Sequence, residues 1–384
     1  MTKFDVAVIG GGMVGAAVAV GFAKQGRSVV VVEGGAPSQF VPNQPMDIRV
    51  SAISHHSVSI LDRLGAWKSI SEKRVCPYRR LETWENPHCR TRFHAESLGM
   101  DQLGYIVENR IVQLALWEQF DHYPNITLHC PDTLVTLDRQ RPCTVTLASG
   151  KTLIADLVVG ADGANSMVRA LAGIGITAWD YRQHCMLINV ETALPQQDIT
   201  WQQFTPSGPR SFLPLCGHQG SLVWYDSPKR IGQLCSMTNE QLRQEIITHF
   251  PDELGDVNVL QFGSFPLTRR HAQTYSAPAC VLVGDAAHTI NPLAGQGVNI
   301  GFKDVEALLD VTSGETDISQ QLLERYERKR RLDNLVMQSG MDIFYKVFSN
   351  DLTGLKLIRN AALKMADNAG PIKTQVLRYA LGLK

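Results

Sequence analysis

Among the eight cysteines, at Cys76, Cys89, Cys130, Cys143, Cys185, Cys216, Cys235 and Cys280, there is no C-x-x-C pair, and no histidine cluster accompanies them. Neither a zinc site nor a disulfide scaffold is indicated, no metal is expected, and a reducing, cytoplasmic compartment is the simplest reading. An excess of one charge is also missing. The 37 Lys and Arg residues balance 37 Asp and Glu residues, so bulk binding to nucleic acid or to an acidic membrane face has no basis. Internal repeats and low-complexity linkers are absent. No window is long and apolar enough to span a bilayer. The nearest approach runs from Lys3 to Ala23, but Asp5 interrupts it and Gly10, Gly11, Gly12, Gly15 and Gly21 stud it. A strand and a turn explain those glycines, whereas the apolar core of a signal peptide has no need of them.

What is present is the composition of an ordinary folded protein: 384 residues, 44% apolar and 19% charged. That length can build one large domain or two interleaved ones. Phe4 to Ile9 reads as a buried strand, Met13 to Gln25 as an Ala- and Val-rich helix, and Ser28 to Val32 as a second buried strand. Together they form a βαβ unit with parallel strands. Residues 52 to 70 and 109 to 122 read as helices, and 280 to 284 as a short strand. Helical periodicity returns from 295 to 311, and from 319 onward the chain reads as mostly helical. From Cys76 to Arg92 and from Cys185 to Pro266, aromatic and β-branched residues alternate with polar ones. That pattern suits an antiparallel sheet with one covered face, belonging to a second, discontinuous domain.

Three glycine-bearing constellations carry the chemistry. Gly10, Gly12 and Gly15 form G-x-G-x-x-G between a strand and a helix, and Glu33 ends the next strand at the offset of a ribose-binding acid. The glycines permit a tight turn, close approach to a pyrophosphate and close helix–strand packing, and the helix N-terminus attracts phosphate. Dinucleotide binding follows, with FAD and NAD not separable on this motif alone. Gly160-Ala161-Asp162-Gly163, with Ser166 and Arg169, follows the apolar strand Leu157 to Val159. Gly284-Asp285-Ala286-Ala287-His288 follows another strand and leads through Pro292 to Gly295-Gln296-Gly297-Val298-Asn299.

These three fingerprints resemble those of the single-component, FAD-dependent aromatic hydroxylases, in the family's order and across all thirds of the chain. The resemblance implies an α/β fold: a Rossmann-like, p-hydroxybenzoate hydroxylase-like FAD-binding domain with an interleaved β-sheet substrate domain and a helical C-terminus. The expected division is 1–75, 100–180 and 275–320 for the FAD-binding domain, 76–99 and 181–274 for the substrate domain, and 321–384 for the helical region. It further implies that Asp285 bonds the ribityl chain and that the Gly295–Asn299 segment lies against the flavin's pyrimidine end, where a helix start stabilises negative charge. Asp162 and Arg169 are implied to serve FAD and the passing nicotinamide cofactor, a local salt bridge being the plain alternative. Arg49 is placed near the flavin and Asn109 near the ribityl or phosphate groups; a surface arginine and an ordinary N-cap are their alternatives. His288 and Pro292 are the candidate catalytic residues, with His288 alternatively holding the turn.

A finer resemblance is to the ubiquinone-biosynthesis hydroxylases, through segments including Arg79-Arg80-Leu81-Glu82-Thr83-Trp84, Trp201-Gln202-Gln203-Phe204, Trp224-Tyr225-Asp226 and Pro266-Leu267-Thr268-Arg269-Arg270-His271. It implies that NADPH or NADH reduces the flavin, that dioxygen forms a flavin hydroperoxide, and that the ring of a polyprenyl benzoquinol, the demethoxylated intermediate, is hydroxylated. Partner proteins of that pathway and a position at the periphery of the inner membrane are implied as well. The polyprenyl tail needs an apolar exit. Phe344, Val347, Phe348, Leu352, Leu355, Leu357 and Ile358 are candidates, near the basic Arg325, Arg328, Lys329, Arg330 and Arg331. A helix packed on the FAD domain with a solvated face shows the same pattern. Another ring position, a flavin-dependent prenyl reductase and a non-catalytic FAD-bearing scaffold remain the alternatives.

Overall fold

The structure, a computed structural model, describes residues 2–290, 297–348, 353–367, 369–370, 373–375 and 377–378. Pro292, Gly295, Gln296 and Leu352 therefore lie outside the described residues.

The strand Lys3–Ile9 is the centre of the first sheet because nearly every side chain from Phe4 onward is apolar and finds cover on both faces. It pairs in parallel with Val29–Val32 on one side and Thr152–Gly160 on the other. Ile126–His129 and Cys280–Leu282 extend the parallel set, and a hairpin of Leu134–Asp138 and Cys143–Leu147 adds antiparallel strands at the start of Thr152–Gly160. The helix Met13–Lys24 lies between this sheet and the helix Gly297–Thr312. Small residues let the two helices approach closely: a Cβ on Gly21 would stand 2.2 Å from Leu309, and one on Gly301 would stand 2.6 Å from Val14.

The second sheet runs, in spatial order, through His288–Thr289, Val257–Ala272, Ile176–Thr192, Gln219–Asp226, Arg210–Pro214, Ile199–Gln203, Arg80–Trp84 and Arg90–His94. It is antiparallel except where Ile199–Gln203 meets Arg80–Trp84. Period-2 alternation sorts its side chains between two faces. Met186, Ile188, Val190, Phe212, Leu222 and Trp224 pack beneath the helices Pro228–Cys235 and Asn239–His249, through Ile231, Leu234, Leu242 and Ile246. Cys185, Leu187, Ser211, Leu213, Val223 and Tyr225 turn the other way, toward the first domain.

Two expectations shift at element boundaries. Residues 50–54 form a strand, not the start of a helix, because they pair with Gly104–Glu108. The helix begins at His55, capped by Ser54 accepting from the Ser57 amide, and it breaks at Gly65 (φ 82°) before Trp67–Glu72. Val75–Tyr78 joins this same small sheet rather than the large antiparallel one.

The C-terminal region is helical over Gln320–Phe348 and Thr353–Asp367. The longer helix packs on Gly297–Thr312, and Tyr326 donates to the Leu282 carbonyl at 2.9 Å. The shorter one crosses Arg90–His94, fastened by a buried, forked ion pair from Arg359 to Glu85. No helix among the described residues is long and apolar enough to cross a membrane.

Candidate active site

Each glycine of the first turn has a different reason to be there. Gly10 sits at φ 101°, and a Cβ would fall 2.4 Å from the Ala161 carbonyl oxygen. At Gly15 a Cβ would fall 1.9 Å from the Gly10 carbonyl oxygen, so the helix could not approach its own turn. Gly12, the N-cap of Met13–Lys24, meets nothing within 4 Å and opens onto a cavity. Glu33 Oε2 accepts from the Gly11 amide at 2.6 Å and Oε1 from the Gly35 amide at 3.1 Å, so its carboxylate clamps the turn. Gln113 and Trp117 donate to the Gly11 carbonyl from the other side, at 2.9 and 2.7 Å.

The second motif is a brace. Asp162 Oδ2 accepts from the amides of Met167 and Val168, while Ser166 Oγ accepts from the amide of Arg169. The buried Arg169 donates to the carbonyls of Ala164 and Ala286, at 2.9 and 2.8 Å, tying the second motif to the third. Neither Asp162 nor Arg169 lines the cavity; Gly163, Ala164 and Asn165 do. The plain alternative, a direct Asp162–Arg169 ion pair, does not occur either.

The third motif divides into a residue that faces the cavity and residues that hold it. Gly284 takes φ 56°. Asp285 opens onto the cavity, and its carboxylate takes no hydrogen bond among the described residues. Although Asp285 is exposed to the cavity, the protein around it partly desolvates the carboxyl and pushes it above the ordinary carboxylate range, with His288 and Arg49 pulling the other way. His288 is 1% exposed and lies behind the cavity wall, not in it. Its Nε2 pairs with Asp304 Oδ2 at 2.5 Å, and the same oxygen accepts from the Gly284 amide at 3.0 Å. Arg330 Nε donates to Asp304 Oδ1 at 2.7 Å. Arg330, expected on a basic surface, is thus buried in an ion pair. Burial alone would raise the Asp304 carboxyl, but His288 and Arg330 outweigh that and hold it at about 2.

Gly297 and Val298, at the start of Gly297–Thr312, line the cavity. Asn299 does not: it is buried, its Oδ1 accepting from the Ser54 amide and Ser57 Oγ, its Nδ2 donating to the Ala52 carbonyl. Arg49 and Asn109 line the cavity, Arg49 with its guanidinium 5.6 Å from the Phe265 ring centre. Asn109 is the first residue of its helix rather than its cap, and its Oδ1 accepts from Ser51 Oγ at 2.7 Å.

These groups share one cavity of about 710 Å³. One wall is the set of turns just described. The other is the inward face of the antiparallel sheet, with Leu187, Leu213, Val223, Tyr225, Phe265 and Leu267. Polar groups also line that wall, Glu82, Thr83, Gln202 and Thr268 among them; Ser211 Oγ donates to Gln202 Oε1 at 3.2 Å, and Thr200 Oγ1 donates to the Phe212 carbonyl. An apolar cavity between residues 285–299 and the β-rich segments was expected from the sequence; the individual residues of this wall were not, nor were Gln113, Trp117 and Asp304.

The residues fit FAD on two observations. The space beside Gly12 at a helix N-terminus is free for a phosphate, and the Asp285 carboxylate faces the same cavity with its acceptor capacity unspent. In sequence, residues 3–338 match the family model described as FAD binding domain. The chain is 51% identical to 3-demethoxyubiquinol 3-hydroxylase of Escherichia coli (strain K12), over 99% of this chain and 98% of that protein. It is 34% identical to ubiquinone hydroxylase UbiL of Rhodospirillum rubrum, over 98% and 89%. In fold it is similar to p-nitrophenol 4-monooxygenase PnpA from Pseudomonas putida, with a TM-score of 0.79 at 20% identity, covering 99% and 97% of the two chains. The chain belongs to the FAD binding domain family, as one of its flavin-dependent monooxygenases.

Proposed function

We propose that this enzyme hydroxylates the ring of a demethoxylated polyprenyl benzoquinol. One observation carries the reading beyond the likeness to the Escherichia coli hydroxylase: a single cavity joins the Asp285 side, built for the cofactor, to an apolar sheet wall wide enough for a quinol ring. Bound FAD supplies reducing equivalents drawn from NADPH or NADH and activates dioxygen.

The chain's own residues bind, orient and exclude water. Gly12 and the N-terminus of Met13–Lys24 receive the pyrophosphate, and Glu33 offers its remaining lone pairs to a ribose. Asp285 accepts from ribityl hydroxyls; Asn109 and Arg49 flank the same space. The N-terminal end of Gly297–Thr312 would offer partial positive charge to the pyrimidine end of the ring, as the resemblance implies. Leu187, Leu213, Val223 and Phe265 hold the substrate ring and keep water away. His288, through Asp304, acts as a positioning residue for the Gly284–Asp285 turn.

The tail and the membrane enter through the C-terminal helices. On Thr353–Asp367 the outward side chains include Leu355, Leu357, Ile358 and Met365, and on Gln320–Phe348 from its middle onward they include Leu332, Val336, Ile343 and Val347. Phe348, by contrast, is buried against Phe204. We read the exposed set as a face that meets the membrane surface where the substrate resides; a protein partner on the same face is the competing outcome.

The test is turnover of the purified flavoprotein with demethoxylated quinol under labelled dioxygen. Label in the expected ring hydroxyl supports the reading, and label at a different carbon reassigns the position. Turnover without oxygen would point to a reductase. Undiminished quinone synthesis in cells whose protein holds no flavin would point to a scaffold.

A further inference from the structure

One row of the antiparallel sheet changes character along its length. Leu187 is in register with Val223, Val223 with Ser211, Ser211 with Gln202, and Gln202 with Thr83, each on a neighbouring strand. All five line the cavity. The row is thus apolar on Ile176–Thr192 and Gln219–Asp226, and polar on the next three strands. The polar end is the one farther from His288–Thr289, the strand that follows the Gly284–Asp285 turn.

Within that polar end one group is aimed. Ser211 Oγ donates to Gln202 Oε1 at 3.2 Å, which fixes the orientation of the carboxamide. Trp201, one residue earlier, packs into the core on the opposite face, so the alternation of the strand turns Gln202 to the cavity. Gln202 is only half-buried, and its Nε2 is neither sealed nor bonded among the described residues. The Thr83 hydroxyl beside it is likewise open and without a partner among the described residues. A ligand that covers such a donor must return a hydrogen bond for the water it displaces, or leave the amide unsatisfied at a cost. An oxygen on the ligand's ring answers it.

We propose that Gln202 Nε2, aimed by Ser211 and flanked by Thr83, hydrogen-bonds the quinol ring oxygen that points away from the flavin, and so sets which ring carbon is hydroxylated. The inference rests on the functional reading above. Leu187 and Val223 offer a surface for the ring, but apolar contact is non-directional and lets the ring turn in its plane. One fixed donor at the edge of that surface removes the freedom. Gln202 touches the substrate, and Ser211 acts as its positioning residue.

The experiment compares the wild-type holoenzyme with Gln202→Leu and Ser211→Ala, using a demethoxylated benzoquinol that carries one isoprene unit. Affinity is read from the perturbed flavin absorbance, per bound FAD. Coupling is read as the share of NAD(P)H oxidation that ends in hydroxylated product rather than hydrogen peroxide. Gln202→Leu should keep its FAD, lose about tenfold in quinol affinity and release more peroxide. Ser211→Ala, whose amide is present but free to turn, should show a smaller loss of affinity and the same shift toward peroxide, which a merely structural role would not produce. Unchanged affinity and coupling in both variants, with a wild type that hydroxylates the quinol, would overturn the assignment alone. Loss of FAD from both variants would give the pair a structural role and equally overturn it. A wild type that neither binds nor hydroxylates the quinol would overturn the functional reading and this inference with it.

Discussion

Arg330 meets Asp304 inside the protein, Nε to Oδ1 at 2.7 Å, and through that contact the long C-terminal helix braces the flavin turn. The other oxygen of Asp304 holds His288 and the Gly284 amide, so one carboxylate joins three segments. Removing either partner leaves a buried charge only partly compensated, Asp304 by His288 or Arg330 by Asp333, at a cost of up to about 3–5 kcal/mol. Arg330→Met and Asp304→Asn should each lower stability by that order in denaturant unfolding and should weaken FAD binding, although neither residue lines the cavity.

Acid should destabilise the protein in two stages. Burial, reinforced by His288, lowers the His271 imidazole from 6.5 to about 4, so the folded state keeps it neutral. Its unfolded counterpart takes up a proton first, and stability falls as pH drops from 6.5 toward 4. The depressed Asp304 carboxyl contributes stability that is full above 3.8 and lost as pH falls through about 2. Thermal midpoints measured across this range should show both stages, and His271→Gln should flatten the upper one.

The glycines of the first turn should separate by substitution. Gly15→Ala should abolish folding or flavin binding, since its Cβ meets a backbone oxygen that cannot yield. Gly12→Ala meets no protein atom. It should leave the apoprotein's stability within about 0.5 kcal/mol of wild type, as at a site away from packed features, and yet lower FAD affinity. Equal effects of the two on apoprotein stability would contradict these assignments.

Asp285→Ala should purify folded and colourless. The carboxylate holds no described residue in place, so truncating it spares the fold. If it bonds the cofactor's hydroxyls as proposed, its loss should cost on the order of 1.5–3 kcal/mol, or more than tenfold in affinity. Flavin absorbance and circular dichroism of one preparation check both halves.

Leu357→Asp with Ile358→Asp should reduce co-sedimentation with phospholipid vesicles while leaving FAD content unchanged, because both side chains are about two-thirds exposed and face away from the cavity. If vesicle binding is unaffected but a higher-order species is lost on gel filtration, the face serves a protein partner.

The first βαβ unit was legible because its strands are short, apolar and bounded by glycines, all of which are local signals. The three turns were legible for the same reason. What each polar residue in them does was not: Asp162, His288 and Asn299 look alike in sequence to Asp285, yet they spend their hydrogen bonds on backbone or buried groups 5 to 247 positions away. The strand Val50–Ser54 read as helix because its pairing with Gly104–Glu108 is non-local. The substrate wall stayed hidden for a different reason. Both faces of the antiparallel sheet are covered, so Met186 and Ile188 are as apolar as Cys185 and Leu187, and alternation cannot tell which set looks at the flavin.

The bonds from Arg169 to the carbonyls of Ala164 and Ala286 also bear on the order in which this protein becomes an enzyme during synthesis. The surface that would receive the cofactor is assembled from pieces more than a hundred residues apart, and Arg330, which fastens it, emerges late. A nascent chain that has completed the first βαβ unit therefore holds a phosphate-binding turn without a flavin site. A chain cut short before that helix would lack this brace on the Gly284–Asp285 turn and is expected to hold FAD poorly.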